Sequence, residues 1–466
     1  MRSSMKNDPF FTLLKILVLL APIPFGCVGR IFSPLFYILI LVLSLVGLSR
    51  HRDHVDIYFL YEKKIRVVFL VCLGFLALQI LPLPFFLLKI VSPATARYLT
   101  LLNEKVPAFH SISMVPFETL VYAFKFLVLV LFFWVMMQIK IEKKEIISIF
   151  KVLVLSAVLQ TILGFLKYFH GNRRFFLFFH EVDQQDPVVR YLTGTLGNPN
   201  HFAFYLEMIL PLVLAIFFLK LQFLEPGRSL RERFVSAMDK NRDLPGYFAI
   251  PVLLGVGIIL TGSRAGIITM IFSFIIFAQF SFYLKQSRRI RKKLKFILIG
   301  ITVVALFLGI QDTVNKFMST GFESSGRFLR WPATITMARD YPVFGAGFGT
   351  YRYTYFLYDM DEGGAWSTHA HNDYLETAAE GGIIGSLLLF FLIGTIIYSI
   401  VKMWADRDHP GIKILGVGIL TSLFAAVFHS FFDFSLHIPV NLWVFVLVLA
   451  LGIRLTTYKR NFRERE

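Results

Sequence analysis

The sequence predicts an all-α, polytopic helical membrane protein of about twelve transmembrane helices, with one long outward-facing loop that contains short amphipathic helices. Three observations predict it. Of 466 residues, 56% are hydrophobic and 17% charged, with 52 phenylalanines and a mean hydropathy of +0.66, which leaves no room for a large soluble catalytic domain. Apolar runs long enough for a bilayer recur along the whole chain. Lys and Arg gather in alternate connecting segments.

Lipid offers no partners for free backbone groups, so each apolar run is expected to close its own hydrogen bonds as a helix. Five runs, near Phe10 to Val28, Ile31 to Leu48, Ile65 to Leu81, Pro116 to Ile139 and Ile146 to Phe169, make up an N-terminal region over residues 1–196. Arg2 and Lys6 before the first run resemble the start of a signal peptide. Similar runs follow, and Pro24-Phe25-Gly26 is a poor lipoprotein cleavage site before Cys27, so the first run is read as an uncleaved span. Seven more runs fall in residues 197–456: Phe202 to Leu224, Tyr247 to Leu260, Ala265 to Leu284, Leu294 to Ile310, Gly382 to Met403, Ile412 to Phe428 and Pro439 to Leu455. Residues 457–466 form a basic tail. Cys27 and Cys72 lie within apolar runs without paired spacing, which excludes a disulfide scaffold or thiolate metal site.

Most of the 48 Lys and Arg residues fall in one alternating set of segments, from Arg50–Arg66 through Arg288–Lys295 to the tail. This places both termini in the cytoplasm. It also accounts for most of the net charge of +18 through anionic inner-leaflet lipid, so the bilayer is the expected partner and nucleic acid is not.

On the opposite side, residues 311–381 form the longest loop, richer in acidic than basic residues, and Arg327 to Arg339 can form an amphipathic interfacial helix. Few charged groups are expected on this side, so each can be weighed. Gly262-Ser263-Arg264-Ala265-Gly266 joins two runs with almost no loop and puts Arg264 at the membrane boundary, where a guanidinium is normally paired and its planar fork suits phosphate or carboxylate oxygens. A snorkelling structural arginine is the plainer alternative. Ser324-Ser325-Gly326-Arg327 opens the loop helix, whose free amides and Arg327 favour an anion, with Arg327 and Arg330 at lipid headgroups as the alternative. In His369-Ala370-His371-Asn372-Asp373, a histidine at the water boundary can take and return a proton near neutral pH, and Asn372 or Asp373 can cap the following helix. His-x-His beside Asp also permits a metal, but no second pair follows at convincing spacing, so none is expected. Asn198-Pro199-Asn200 reads as a turn and cap, and Asp433 as the partner of a buried arginine. Trp366, Tyr351, Tyr353, Tyr355 and Tyr358 can stack on sugars or anchor at the interface. No phosphate-cradling loop is visible, so the energy for a reaction must arrive with the substrate, as in a lipid pyrophosphate.

These motifs resemble the O-antigen ligase and O-antigen polymerase superfamily of bacterial envelope glycan assembly. The resemblance rests on Gly262–Gly266, Gly326–Trp331, the Tyr341–Gly349 run, His371–Glu376 and Gly381–Gly385. It covers about Gly197 to Pro439 and makes residues 197–456 a ligase-like membrane domain with a periplasmic loop. It implies an inner-membrane glycosyltransferase that moves a glycan from undecaprenyl pyrophosphate to an acceptor hydroxyl on the periplasmic face, with inversion and without metal, nucleotide or other cofactor. Arg264 and Arg327 would bind the donor pyrophosphate, His371 would activate the acceptor, and Ser263, Arg330, His369 and Asn372 would line the substrate site. His369 is an additional histidine relative to the family pattern. The acceptor would be a lipid A core, a growing repeat-unit glycan or a protein hydroxyl. A transporter of an anionic solute or lipid-linked glycan would suit the same composition, although such carriers often show internal repeats and none is visible.

Overall fold

A computed structural model describes residues 8–51, 63–102, 104–139, 141–170, 191–222, 244–284, 287–308, 326–358 and 368–457. Every predicted run contains a helix, although in the first, Phe10 to Val28, it stops at Leu20 before a turn through Phe25–Cys27. The helices are α1 (Pro9–Leu20), α2 (Phe32–Arg50), α3 (Lys63–Ile80), α6 (Pro116–Gln138), α7 (Lys143–His170), α8 (Pro199–Gln222), α9 (Leu244–Leu260), α10 (Arg264–Phe280), α11 (Ser287–Leu308), α14 (Asp373–Ala405), α15 (Pro410–His429) and α16 (Pro439–Thr457). Among the described residues, eight are long and apolar enough to cross a membrane: α2, α6, α7, α8, α10, α14, α15 and α16. The protein is thus an all-α, multi-pass membrane protein. Of the other four, α1 and α9 have 12 and 17 residues, and α3 and α11 open on clusters of Lys and Arg.

Two further pieces belong to the loop after α11: α12 (Gly326–Asp340), which closely matches the predicted interfacial helix, and the single turn α13 (Tyr351–Thr354). The segment between α3 and α6 contains elements the periodicity did not indicate. Helices α4 (Phe85–Val91) and α5 (Pro93–Leu102) are flanked by a two-residue antiparallel ladder of β1 (Leu83–Pro84) and β2 (Phe109–His110). Their 7 and 10 residues are too few to span lipid or to establish a helical period.

Helix α8 forms the centre of the bundle and packs against α15, α9 and α10, with Phe202 to Leu206 fully buried. Close approach to α15 depends on Gly418, where an added Cβ would lie 2.6 Å from Ala215 Cβ and 2.8 Å from the Pro211 carbonyl. Ser422 Oγ on α15 donates to the Met208 carbonyl at 2.6 Å, a polar link inside an apolar interface.

One break in the helical pattern positions everything that follows. Helix α14 kinks at Gly382, whose φ of 59° is left-handed, and the kink leaves two N–H and two C=O groups without helical partners. The glycine-rich Tyr341–Gly349 run supplies them. Ile383 and Ile384 N–H donate to Pro342 and Val343 carbonyls, while Ala346 and Gly347 N–H donate to Ala379 and Glu380 carbonyls. Gln79 Nε2 from α3 also donates to the Glu380 carbonyl at 3.0 Å. Only glycine fits at 345, since a Cβ there would stand 2.0 Å from the Glu380 oxygen. The Tyr341–Gly349 and Gly381–Gly385 motifs are therefore two halves of one joint, in which the loop satisfies backbone groups freed in the helix.

Candidate functional site

The N-terminal part of α14, residues 373–381, begins at a capped start. Asn372 Oδ1 accepts from Tyr374 and Leu375 N–H at 3.0 and 3.1 Å. Just before the cap, His371 has a φ of +52°, a left-handed conformation that costs a non-glycine residue about 1 kcal/mol. This turn directs the His371 ring to Asp433, with Nδ1 and Oδ1 3.0 Å apart. Asp433 is fully buried and also accepts from the Phe434 N–H at 2.9 Å. The sequence suggested a buried arginine for Asp433; among the described side chains it meets His371.

A second pair lies beside the first. His369 Nδ1 stands 2.7 Å from Glu376 Oε1, and the Ala370 N–H donates to the other carboxylate oxygen at 2.8 Å. His437, in the short 3₁₀ turn Ser435–His437, has Nδ1 2.8 Å from Asp373 Oδ1 and Nε2 3.2 Å from Glu376 Oε1. Burial alone would discharge His437, but the charge of Glu376 and the hydrogen bond to Asp373 outweigh it and raise its pKa to about 10, so the ring is a cation at neutral pH. Phe434 separates the two pairs. His369 stacks on it with centroids 4.2 Å apart, and His371 and His201 meet it edge-on at 4.7 and 4.9 Å.

Arg264 is the first residue of α10, entered through Gly262 in a left-handed conformation (φ 63°). Ser263 Oγ accepts from the Gly266 N–H at 3.1 Å and caps the helix. Arg264 is half-buried. The start of α10 lies hard against α8, where a Cβ on Gly266 would meet Ala203 Cβ at 2.8 Å and Glu207 Oε1 at 3.0 Å. The other oxygen of Glu207 is 2.8 Å from His429 Nδ1 at the end of α15. The next residue, Ser430, accepts from the Asp373 N–H at 2.9 Å. The starts of α10 and α14 are therefore both tied to the end of α15, which brings the Arg264 and His371 segments into one neighbourhood.

Arg327 is the second residue of α12, as the sequence suggested, and its side chain lies outside what the structure describes. Arg330, one turn later, is half-buried. The Thr334 hydroxyl donates to its carbonyl at 2.9 Å and shares a hydrogen bond of 2.7 Å with the Tyr351 hydroxyl. Burial pushes the Tyr351 phenol up, and the positive charge of Arg330 acts against that shift. Tyr351 N–H in turn donates to Glu380 Oε1 at 2.7 Å, so α12 is joined to the N-terminal part of α14. Of the aromatic residues suggested for sugar stacking, Tyr351 and Tyr355 are buried and stacked on each other. Tyr353 is engaged with Glu118 and Tyr358 with Asp340. Trp366 lies outside the described residues.

Sequence reasoning singled out His369, His371, Asn372 and Asp433 but did not pair His369 with Glu376, His371 with Asp433, or His437 with Asp373 and Glu376. Glu376 sits in the same motif as His369, so their i, i+7 spacing was available as a signal. His437 and Asp433 had none, being brought in by the return of the chain from α15 to α16.

Residues 249–390 match the model of a family described as O-antigen ligase, Wzy_C. The match contains Arg264, Arg327, Arg330, His369, His371 and Asn372, and stops before Asp433 and His437. Over 170 residues the chain is 27% identical to the exopolysaccharide production protein ExoQ of Rhizobium meliloti (strain 1021), covering 34% of this chain and 38% of that relative. The similarity thus spans well under half the length of either protein.

Proposed function

We propose that this chain, a member of the O-antigen ligase and polymerase superfamily, is a membrane glycosyltransferase that moves a glycan from undecaprenyl pyrophosphate to an acceptor hydroxyl on the periplasmic face of the inner membrane. The observation that carries the reading is the His371–Asp433 pair at 3.0 Å, with the carboxylate buried and the histidine partly exposed. An Nδ1–H donated to Asp433 leaves the Nε2 lone pair as the base, and the carboxylate stabilises the imidazolium that forms. Arg264 and Arg327 are assigned to the donor pyrophosphate, with Arg330, His369, Ser263 and Asn372 shaping the substrate site.

In this mechanism the acceptor hydroxyl oxygen attacks the anomeric carbon from the face opposite the pyrophosphate. Its proton goes to His371 Nε2. The carbon–oxygen bond to phosphate breaks and its electron pair leaves on the pyrophosphate oxygen, where the arginines stabilise the growing charge. Inversion at carbon follows. The pyrophosphate supplies the driving force, so the bond-breaking step calls on neither nucleotide nor a Lewis-acidic metal.

Two acceptor readings have separate support. The family description, O-antigen ligase, favours attachment to a lipid A core; the relative's name, exopolysaccharide production, favours extension of a repeat-unit polymer. A protein hydroxyl is the third acceptor, and transport of an anionic lipid-linked glycan without reaction is the alternative of another class. Purified protein supplied with glycan-pyrophosphate lipid and acceptor is expected to release free undecaprenyl pyrophosphate, and lipid movement without release would refute the transferase. Envelope glycans of a deletion strain separate the acceptors: lost attachment marks a ligase, single-repeat products a polymerase, and unmodified protein a protein transferase.

A further inference from the structure

We infer that His369, Glu376 and His437 bind one divalent transition cation, zinc fitting their donors best, and that the ion clamps the His371 loop to the segment leading into α16. One ligand atom from each residue lies within 4.8 Å of the others. Two imidazoles and one carboxylate with an open fourth position form a recurrent zinc donor set, and the half-exposed His369 leaves that side of the cluster open. Donors about 2.1 Å from a tetrahedral ion stand about 3.4 Å apart. Glu376 Oε1 and His437 Nε2, at 3.2 Å, already meet that spacing. His369 Nδ1, at 2.7 Å from the same oxygen, needs to retreat by a fraction of an ångström, which rotation of an exposed ring permits.

Two independent features support the assignment. The first is an outer shell. His437 Nδ1 is held by Asp373 at 2.8 Å, which turns Nε2 to the cluster, and the Ala370 N–H fixes the second oxygen of Glu376 at 2.8 Å; ligating histidines and carboxylates are oriented in this way. The second is charge. Asp373 and Glu376 are both buried against His369 and His437, and a divalent ion that displaces the Nε2 proton of His437 would balance the two carboxylates with both rings neutral.

The ion would join three stretches of chain: the loop carrying His369 and His371, the first turn of α14, and the 3₁₀ turn after Asp433 and Phe434. It thereby holds His371 and Asp433 in register and takes no part in bond breaking. The inference stands apart from the transferase reading, and its test reads coordination, not turnover.

Tag-free full-length protein in detergent is stripped with chelator and titrated with Co²⁺. The expected result is uptake of one equivalent with the intense visible bands of a low-coordinate ion, displaced by zinc. His369→Asn, at a half-exposed position that does not threaten folding, and Glu376→Gln are each expected to weaken uptake at least about tenfold. Zinc is expected to raise the unfolding temperature of the parent and not of His369→Asn. Absence of bands at large Co²⁺ excess, or bands unchanged in both variants, would overturn the site and leave a proton-held triad of His437 between two carboxylates. Donor turnover on the same samples separates the two readings: bands without turnover count against the transferase alone, and turnover without bands against the cation site alone.

Discussion

Replacing Asp433 by Asn is expected to slow glycan transfer by about 10³-fold while leaving the fold intact. The magnitude follows from the geometry. His371 Nδ1 and Asp433 Oδ1 are 3.0 Å apart, with the carboxylate fully buried, so the charge centres of an imidazolium and this carboxylate stand about 4 Å apart. At an effective dielectric near 20 that attraction is roughly 4 kcal/mol, and about 1.4 kcal/mol corresponds to each factor of ten in rate. Asn removes the charge and, by offering its N–H₂, favours the tautomer whose Nε2 carries the proton and cannot act as a base. Because the same oxygen, Oδ1, faces both His371 Nδ1 and the Phe434 N–H, the amide cannot serve both, and the melting temperature measures the local cost. The assay is release of undecaprenyl pyrophosphate by purified protein, with kcat and KM determined separately and abundance and melting temperature as controls. The loss is expected in kcat. Turnover within threefold of the parent would refute the role of the pair.

The residues assigned to the site give further tests. His371→Ala and Arg327→Ala are each expected to abolish transfer with near-normal membrane insertion, and parental turnover in Arg327→Ala would remove it from the donor site. Arg264→Lys is expected to lower turnover at least about tenfold, because an ammonium cannot reproduce a two-pronged grip on phosphate oxygens; an unimpaired variant would reduce Arg264 to a point charge. Gly345→Ala tests the joint in α14. With a Cβ 2.0 Å from the Glu380 carbonyl and a φ of +74°, it is expected to destabilise the protein by more than about 3 kcal/mol, read as lost abundance and a lowered unfolding temperature. Gly266→Val is expected to displace α10 from Ala203 and Glu207 and to reduce turnover more than stability, since Arg264 rides on that helix.

What could be read in the sequence follows the range of the forces involved. Lipid dictates apolar length, so a helix emerged in all twelve runs. The Ser-Ser-Gly opening and amphipathic register made α12 legible to within a residue or two at either end. Helices α4 and α5 were hidden because their fold comes from a short strand ladder and packing, not from periodicity. At the site, Asn372 announced itself by N-cap chemistry and the histidines by position, while the cap formed by Ser263 was not read. Their partners split by distance: Glu376 lies 7 residues after His369, while Asp433 and His437 arrive only because α15 and α16 return the chain to the same end of the bundle. The glycine-rich Tyr341–Gly349 run looked like a loop signature, and its backbone role at the Gly382 kink became visible only with both halves of the joint in place.

The central claim is that Arg264, Arg327 and His371 meet at one outward-facing site. The direct measurement is cysteine accessibility in intact spheroplasts, in a Cys27→Ser, Cys72→Ser background, using a membrane-impermeant maleimide. His371→Cys and Arg327→Cys are predicted to be labelled without permeabilisation, and Lys292→Cys only after it. Labelling of His371→Cys or Arg327→Cys only in permeabilised cells would place the site on the cytoplasmic side and contradict the account.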